Sequence, residues 1–357
     1  MDQFFVQPVE KKVSSVAWLQ QSNVHNEPFL RFYSGTWDHG ADNELVLWKC
    51  PGPDVRSRQL DSDFEAAPLA RVNHSGDVAD ILVVQRDLCM TASSTGQLYV
   101  YKTSDNAGPD NMSLTLTQTL SPSSSKASSA SLSANAPCVA LASQPLAGSS
   151  CDIACVDEAG RLSFFQVDQP HPLAQVQADC LPLYDVTWLS SHTVLTVSRS
   201  GQLKLFDRRD PQEPLVVVVD PETPNVAINC AAGHPSQTHR LATGNKLGNV
   251  LSWDIRKMQE PVSQTVEAHD GEINDILFHP GRPFTIITAS EDSSCGVLDL
   301  GASAGLQMGQ YPTTTRPPVR KLQNLYNCLP INALDYHATA NILLAGSDST
   351  NLLFQIE

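Results

Sequence analysis

Seven times along the chain, a short run of alternating apolar and polar residues ends in a bulky side chain five positions after a turn-forming residue. The closing residues are Trp48, Tyr101, Phe165, Phe206, Trp253, Leu298 and Phe354. The turn residue is Gly96, Gly160, Gly201 or Gly248 in four repeats, and Asn43, Ser293 or Ser349 in the others. Runs such as Gln97 to Tyr101 and Asn249 to Trp253 alternate with period two, which predicts a half-buried strand. Upstream of the turn lies another strand ending in small polar residues, as in Cys89 to Thr95 and Ile286 to Asp292. A third precedes it, as in Val16 to Leu19 and Ile273 to Phe278. Repeated apolar stripes of this kind bury their faces against one another and predict a radial ring of four-stranded blades.

The strand order resembles that of WD40 repeats, which run about 40 to 45 residues. The expected fold is therefore all-β: a single seven-bladed WD40 β-propeller over residues 1–357. Three of the six intervals between closing residues carry extra length. Ser113 to Leu120 reads as the outer strand of blade two, and 121–136 as a Ser-rich flexible loop between blades two and three, too poor in apolar groups to offset its ordering entropy. A second insertion, 301–330, separates blades six and seven, and a smaller excess falls at Pro51 to Ala70. The last repeat stops at Glu357 after its third strand, while Gln3 to Gln7 precedes the first repeat and has no blade of its own. Pairing of this N-terminal strand into blade seven would close the ring and remove an unpaired edge; the alternative is an open ring that takes a strand from a partner.

Charge and chemistry narrow the function. The formal charge is −15, and no basic stripe with interleaved aromatics is present, so direct nucleic-acid binding is not expected. An acidic body favours neutral or basic partners. No apolar stretch approaches 18 residues, so membrane insertion is not expected either. Nine cysteines without a Cys-x-x-Cys pair suit a reducing compartment. No catalytic constellation, cofactor site, metal cluster or small-molecule substrate site emerges, and Cys151 and Cys155 have no accompanying ligand cluster. His234 and His279, each followed by proline, read as hairpin residues. His269 and His74 sit just before a first strand, in reach of Ser290 and Asp292 in blade six and of Ser93 in blade two.

Four of the five tryptophans have core addresses: Trp18 and Trp188 in first strands, Trp48 and Trp253 closing third strands. Trp37 lies instead in the extended turn Tyr33 to Asn43 with Asp38 and Asp42. It is either a binding anchor, since tryptophans dominate interface hot spots, or a ring folded over the neighbouring loop. By register, Asp157, Arg199, Asn245 and Asp292 follow second strands and share its face. Arg316, Arg320 and Lys321 form a compact basic group that either meets an acidic partner or keeps its loop soluble. Ser121-Pro122 reads as a proline-directed phosphorylation site. Trp253, Asp254 and Arg256 resemble the docking box of WD40 substrate receptors for cullin-RING ubiquitin ligases, or else pair with neighbouring blades.

A more specific resemblance runs from end to end. Ser34-Gly-Thr-Trp-Asp38, Glu44 to Trp48, His74 to Asp80, Ala92 to Gly96, Ala136-Pro-Cys138, Asp157 to Arg161, Ser200 to Lys204 and Trp253 to Arg256 are together similar to the nucleoporin 43 family, small WD40 subunits of the nuclear pore's Y complex. The resemblance implies a non-catalytic scaffold at the nuclear envelope, docked on a helical-solenoid nucleoporin in the short arm of the Y. It also implies recruitment to kinetochores in mitosis, with roles in nucleocytoplasmic transport, pore assembly and chromosome segregation. The insertion at 301–330 is shorter than the resemblance implies.

Overall fold

A computed structural model describes residues 4–19, 29–38, 42–52, 65–105, 112–122, 136–144, 151–257, 262–300, 319–323 and 326–355. These form seven four-stranded antiparallel sheets, with no helix among the described residues. The chain opens with β1 (Phe4–Pro8). Blade one then comprises β2 (Val13–Trp18), β3 (Phe29–Thr36), β4 (Asn43–Pro51) and β5 (Ala67–His74); blade two, β6 (Val78–Gln85), β7 (Leu88–Ser93), β8 (Leu98–Asp105) and β9 (Met112–Leu120). Blade three is β10 (Cys138–Ser143), β11 (Asp152–Asp157), β12 (Arg161–Gln166) and β13 (Ala174–Gln177); blade four is β14 (Leu183–Trp188), β15 (Thr193–Ser198), β16 (Gln202–Asp207) and β17 (Val216–Val219). Blade five holds β18 (Ile228–Gly233), β19 (Arg240–Asn245), β20 (Asn249–Asp254) and β21 (Val262–Glu267); blade six, β22 (Ile273–Phe278), β23 (Thr285–Ser290), β24 (Ser294–Asp299) and β25 (Val319–Gln323). Blade seven is β26 (Ile331–His337), β27 (Ile342–Ser347) and β28 (Thr350–Gln355), with β1 as its outer strand: Phe4 pairs with Phe354 and Pro8 with Thr350. The ring is closed as the repeat pattern predicts.

The core lies between blades. Leu195 and Val197 of blade four pack with Leu241, Leu251 and Trp253 of blade five, and Trp18, Phe32 and Trp48 of blade one with Ile342, Leu344 and Leu353 of blade seven. The closing tryptophans also satisfy their polar edge: the Trp253 indole N–H donates to Thr243 Oγ1 at 2.8 Å, and Trp48 to Ser34 Oγ at 2.8 Å. Gly248, at φ +80°, makes the tight turn into β20; a Cβ there would lie 2.2 Å from the His269 carbonyl oxygen. Ser293 and Ser349 adopt the same left-handed conformation at φ 66° and 107°. Asn43 does not serve as such a turn residue: it opens β4, and its amide donates to Asp77 Oδ1 at 2.9 Å.

Polar staples join inner strands around the central channel, a cavity of about 770 Å³. Asp80 accepts from Leu141 N–H of the next blade at 2.8 Å, Asp185 from Ala231 N–H at 2.7 Å, Asp275 from Leu334 N–H at 2.7 Å, and Asp335 from Trp18 N–H at 2.6 Å. The other oxygen of each carboxylate takes the N–H of the following residue. Burial raises all four above the usual carboxylate range, Asp275 to about 7 and Asp335 to about 6, even though these N–H donors favour the charged form.

Three expectations need revision. Val319–Gln323, read as part of a loop insertion, is the outer strand of blade six and carries Arg320 and Lys321. His269 and His74 reach Thr288 and Thr91 with Nε2, at 2.7 and 2.9 Å, rather than Ser290 and Ser93. In each strand these two candidates are two residues apart and share a face, so the ring reaches one pleat deeper. Ser121-Pro122 is anchored rather than free: Ser121 N–H donates to the Pro170 carbonyl at 3.3 Å, and the buried Pro122 accepts at its carbonyl from Gln175 Nε2 at 3.0 Å. The remainder of the Ser-rich segment, 123–135, lies outside the described residues. His234 and His279 hold hairpins as expected, their Nδ1 atoms accepting from the backbone N–H groups of Gln237 and Arg282 at 3.1 and 3.0 Å.

Candidate docking surface

Strand register defines a common rim. Thr36, Ser93, Asp157, Ser198, Asn245, Ser290 and Ser347 each end a second strand and each pair with the first residue of the inner strand beside it. The residue after each therefore emerges at an equivalent place on one face. Those residues are Trp37, Ser94, Glu158, Arg199, Lys246, Glu291 and Asp348. Five of them, Trp37, Ser94, Glu158, Glu291 and Asp348, line a cavity of about 550 Å³ at the channel mouth.

Trp37 is 41 % exposed, the one tryptophan not buried in the core. Its backbone N–H donates to the Lys12 carbonyl at 3.0 Å, and the Lys12 ammonium lies 5.7 Å from its ring centroid. Asp38 is half-buried, its N–H donating to Asn43 Oδ1 at 2.9 Å. The turn aspartates and asparagine face inward. Asp157 is buried and accepts from Arg161 N–H at 2.9 Å and Arg161 Nε at 2.6 Å. Asn245, also buried, accepts at Oδ1 from Leu247 and Asn249 N–H at 2.9 and 3.0 Å. Asp292 is shared by His269 Nδ1 at 3.0 Å and Lys321 Nζ at 3.0 Å. Although burial opposes it, hydrogen bonds from Ser294, Lys321 and His269 hold Asp292 well below the usual carboxylate range. These three side chains brace turns, and the rim is formed by their neighbours, Glu158 and Lys246 one residue later and Glu291 one residue earlier. Arg199 does stand on the rim and is exposed.

A family model described as "WD domain, G-beta repeat" matches residues 261–299. Nucleoporin Nup43 of Mus musculus is 30 % identical over 317 residues, covering 85 % of this chain and 78 % of that protein. Its Homo sapiens counterpart is 30 % identical over 302 residues, covering 82 % and 75 %. The chain belongs to the nucleoporin Nup43 family. Cytoplasmic dynein 2 intermediate chain 2 of Homo sapiens is 28 % identical over 177 residues, 41 % of this chain and 32 % of that protein, a likeness confined to part of the ring.

In this Nup43-family chain, residues of the two remaining sets have internal partners. Trp253 is fully buried and Asp254 nearly so. Arg256 clamps the Asp254 carboxylate with Nε at 2.9 Å and Nη2 at 2.6 Å, a fork that lowers Asp254 to about 2. The pairing is made within one turn, not with a neighbouring blade. Of the basic group, Lys321 bridges Asp270 and Asp292 at 3.2 and 3.0 Å, Arg320 is exposed on β25, and Arg316 lies outside the described residues. Among the described residues no group of three or more His, Cys, Asp or Glu side chains is arranged to hold a metal ion.

Proposed function

We propose that this chain is a non-catalytic scaffold subunit of the nuclear pore that docks on a helical-solenoid nucleoporin of the Y complex's short arm, using the rim around Trp37. Membership of the Nup43 family carries the nucleoporin assignment. The exposed Trp37 beside an open cavity carries the choice of face. The mechanism is rigid presentation. Antiparallel blades fix the rim before binding, so little entropy is lost on docking, and a few anchors supply most of the affinity. Roles in nucleocytoplasmic transport and pore assembly, and recruitment with the complex to kinetochores for chromosome segregation, belong to the same proposal.

The test is isolation of stable complexes from cells carrying the tagged chain. Y-complex nucleoporins in stoichiometric yield, lost or sharply reduced with Trp37→Ala, support the reading. Recovery of a cullin adaptor without nucleoporins would overturn it in favour of a ubiquitin-ligase receptor. Unchanged nucleoporin recovery by a folded Trp37→Ala variant would move the contact to another surface.

A further inference from the structure

The rim is unevenly charged. Arg199 and Lys246 stand on blades four and five, whereas Glu291, Asp348, Trp37 and Glu158 stand on blades six, seven, one and three. Glu158 and Glu291 are exposed, and both open on the cavity of about 550 Å³ that Trp37 walls. The chain itself seats one cation at the edge of this cavity. The Lys12 ammonium sits 5.7 Å from the Trp37 ring centroid and 3.3 Å from Asp348 Oδ2, on a side chain that is 52 % exposed. An aromatic face and a carboxylate thus already cradle one cation, by ring quadrupole and by charge. Glu158 and Glu291 repeat the acidic element elsewhere in the same cavity.

We propose that the cavity bounded by Trp37, Glu158 and Glu291 receives a lysine or arginine side chain carried on an extended segment of a protein partner. The inference rests on the reading that this rim is the docking face, and it adds the chemistry of what docks. Charge complementarity selects the occupant. The acidic arc lies on a body of formal charge −15, so a polyanion is repelled and a cationic segment is drawn in. The cavity has room for a whole side chain, and the carboxylates that face it supply oxygen acceptors matched to ammonium or guanidinium donors.

The experiment uses the purified full chain and a fluorescein-labelled peptide of Gly-Ser-Arg repeats, with a Gly-Ser-Gln peptide as control, read by fluorescence anisotropy at physiological salt. The arginine peptide should bind and the glutamine peptide should not. The double variant Glu158→Gln/Glu291→Gln should weaken binding about tenfold or more, through loss of two close charge partners. A second double variant, Asp168→Asn/Glu213→Gln, removes the same charge from exposed connections between third and fourth strands, on the opposite face. It should leave binding within about twofold, because distant exposed charges are screened. Equal loss in both variants, or equal binding of the two peptides, overturns the inference. Thermal melts establish that each variant is folded. Failure of peptide binding while nucleoporins still co-purify sinks this inference alone; retained peptide binding without nucleoporin recovery sinks the docking reading alone.

Discussion

Asp335→Asn tests the staple that joins the last blade to the first. Asp335 accepts from Trp18 N–H at 2.6 Å with one oxygen and from Tyr336 N–H at 2.7 Å with the other. Its side chain is raised by burial from 3.8 to about 6. A raised carboxylate is protonated more readily in the folded than in the unfolded chain. Its contribution to stability is therefore complete below the unfolded value and is lost as pH rises through about 6. Linkage over these two values gives the wild-type chain about 1.4 kcal/mol more stability at about pH 5 than at about pH 7.5 from this group alone. Asparagine has no such titration, and it offers one acceptor where two are needed, so one buried N–H is left unpaired at a cost of roughly 1–3 kcal/mol. Urea unfolding of both proteins at the two pH values isolates the effect, because the other titrating groups are common to the pair and cancel, apart from the smaller repulsion between Asp335 and Asp275. The stability gap should widen by about 1.4 kcal/mol on acidification. A gap that stays constant would show that Asp335 is ionised throughout and would refute the assignment of a raised carboxylate.

Other perturbations probe the remaining devices. Gly248→Ala forces a Cβ into the left-handed region and to within 2.2 Å of the His269 carbonyl oxygen; it should destabilise by at least about 2 kcal/mol, read as a fall in thermal midpoint. Removal of residues 1–8 strips β1 from β28 and bares a long sheet edge. The truncated chain should melt lower and self-associate on size-exclusion chromatography, and an unchanged monomer would show that closure by β1 is dispensable. Asp254→Ala removes a buried turn carboxylate and should cost about 1–2 kcal/mol. Arg256→Ala, at a side chain 62 % exposed, should stay within about 0.5 kcal/mol. Equal losses in urea melts would make the ion pair, rather than the turn, the stabilising element.

The repeat was legible because each blade needs one apolar face on a third strand, and that need recurs at fixed spacing. Closure was legible too, since an orphan strand at one end matched a three-stranded repeat at the other. The outer strand of blade six was not. Val319-Arg-Lys-Leu-Gln323 has only one buried residue, Leu322, because an outer strand packs weakly and leaves little periodic signal. The rim residue was placed one position early in blades three and five and one late in blade six, because counting along a second strand does not reveal where its last side chain turns inward; Asp157 and Asn245 are consumed by the turns that follow them. The channel staples were missed altogether, although a signal exists. Asp80-Ile81, Asp185-Val186, Asp275-Ile276 and Asp335-Tyr336 each set an acidic residue before a bulky one inside an otherwise apolar inner strand. A carboxylate in such a position needs donors, and the next blade's backbone supplies them.

The pairing of β1 with β28 has a consequence for how the chain is made. Synthesis runs from the N-terminus, so among the strands of the ring β1 leaves the ribosome first and its partner β28 last. Six blades can assemble while Phe5 and Val6 await the strands they will pack against. Contacts that span almost the entire sequence are slow to form and leave apolar strands open to other chains in the interval. The ring thus depends on protection of β1 during translation, and chaperone demand should concentrate on the interval before β28 emerges rather than fall evenly on each blade.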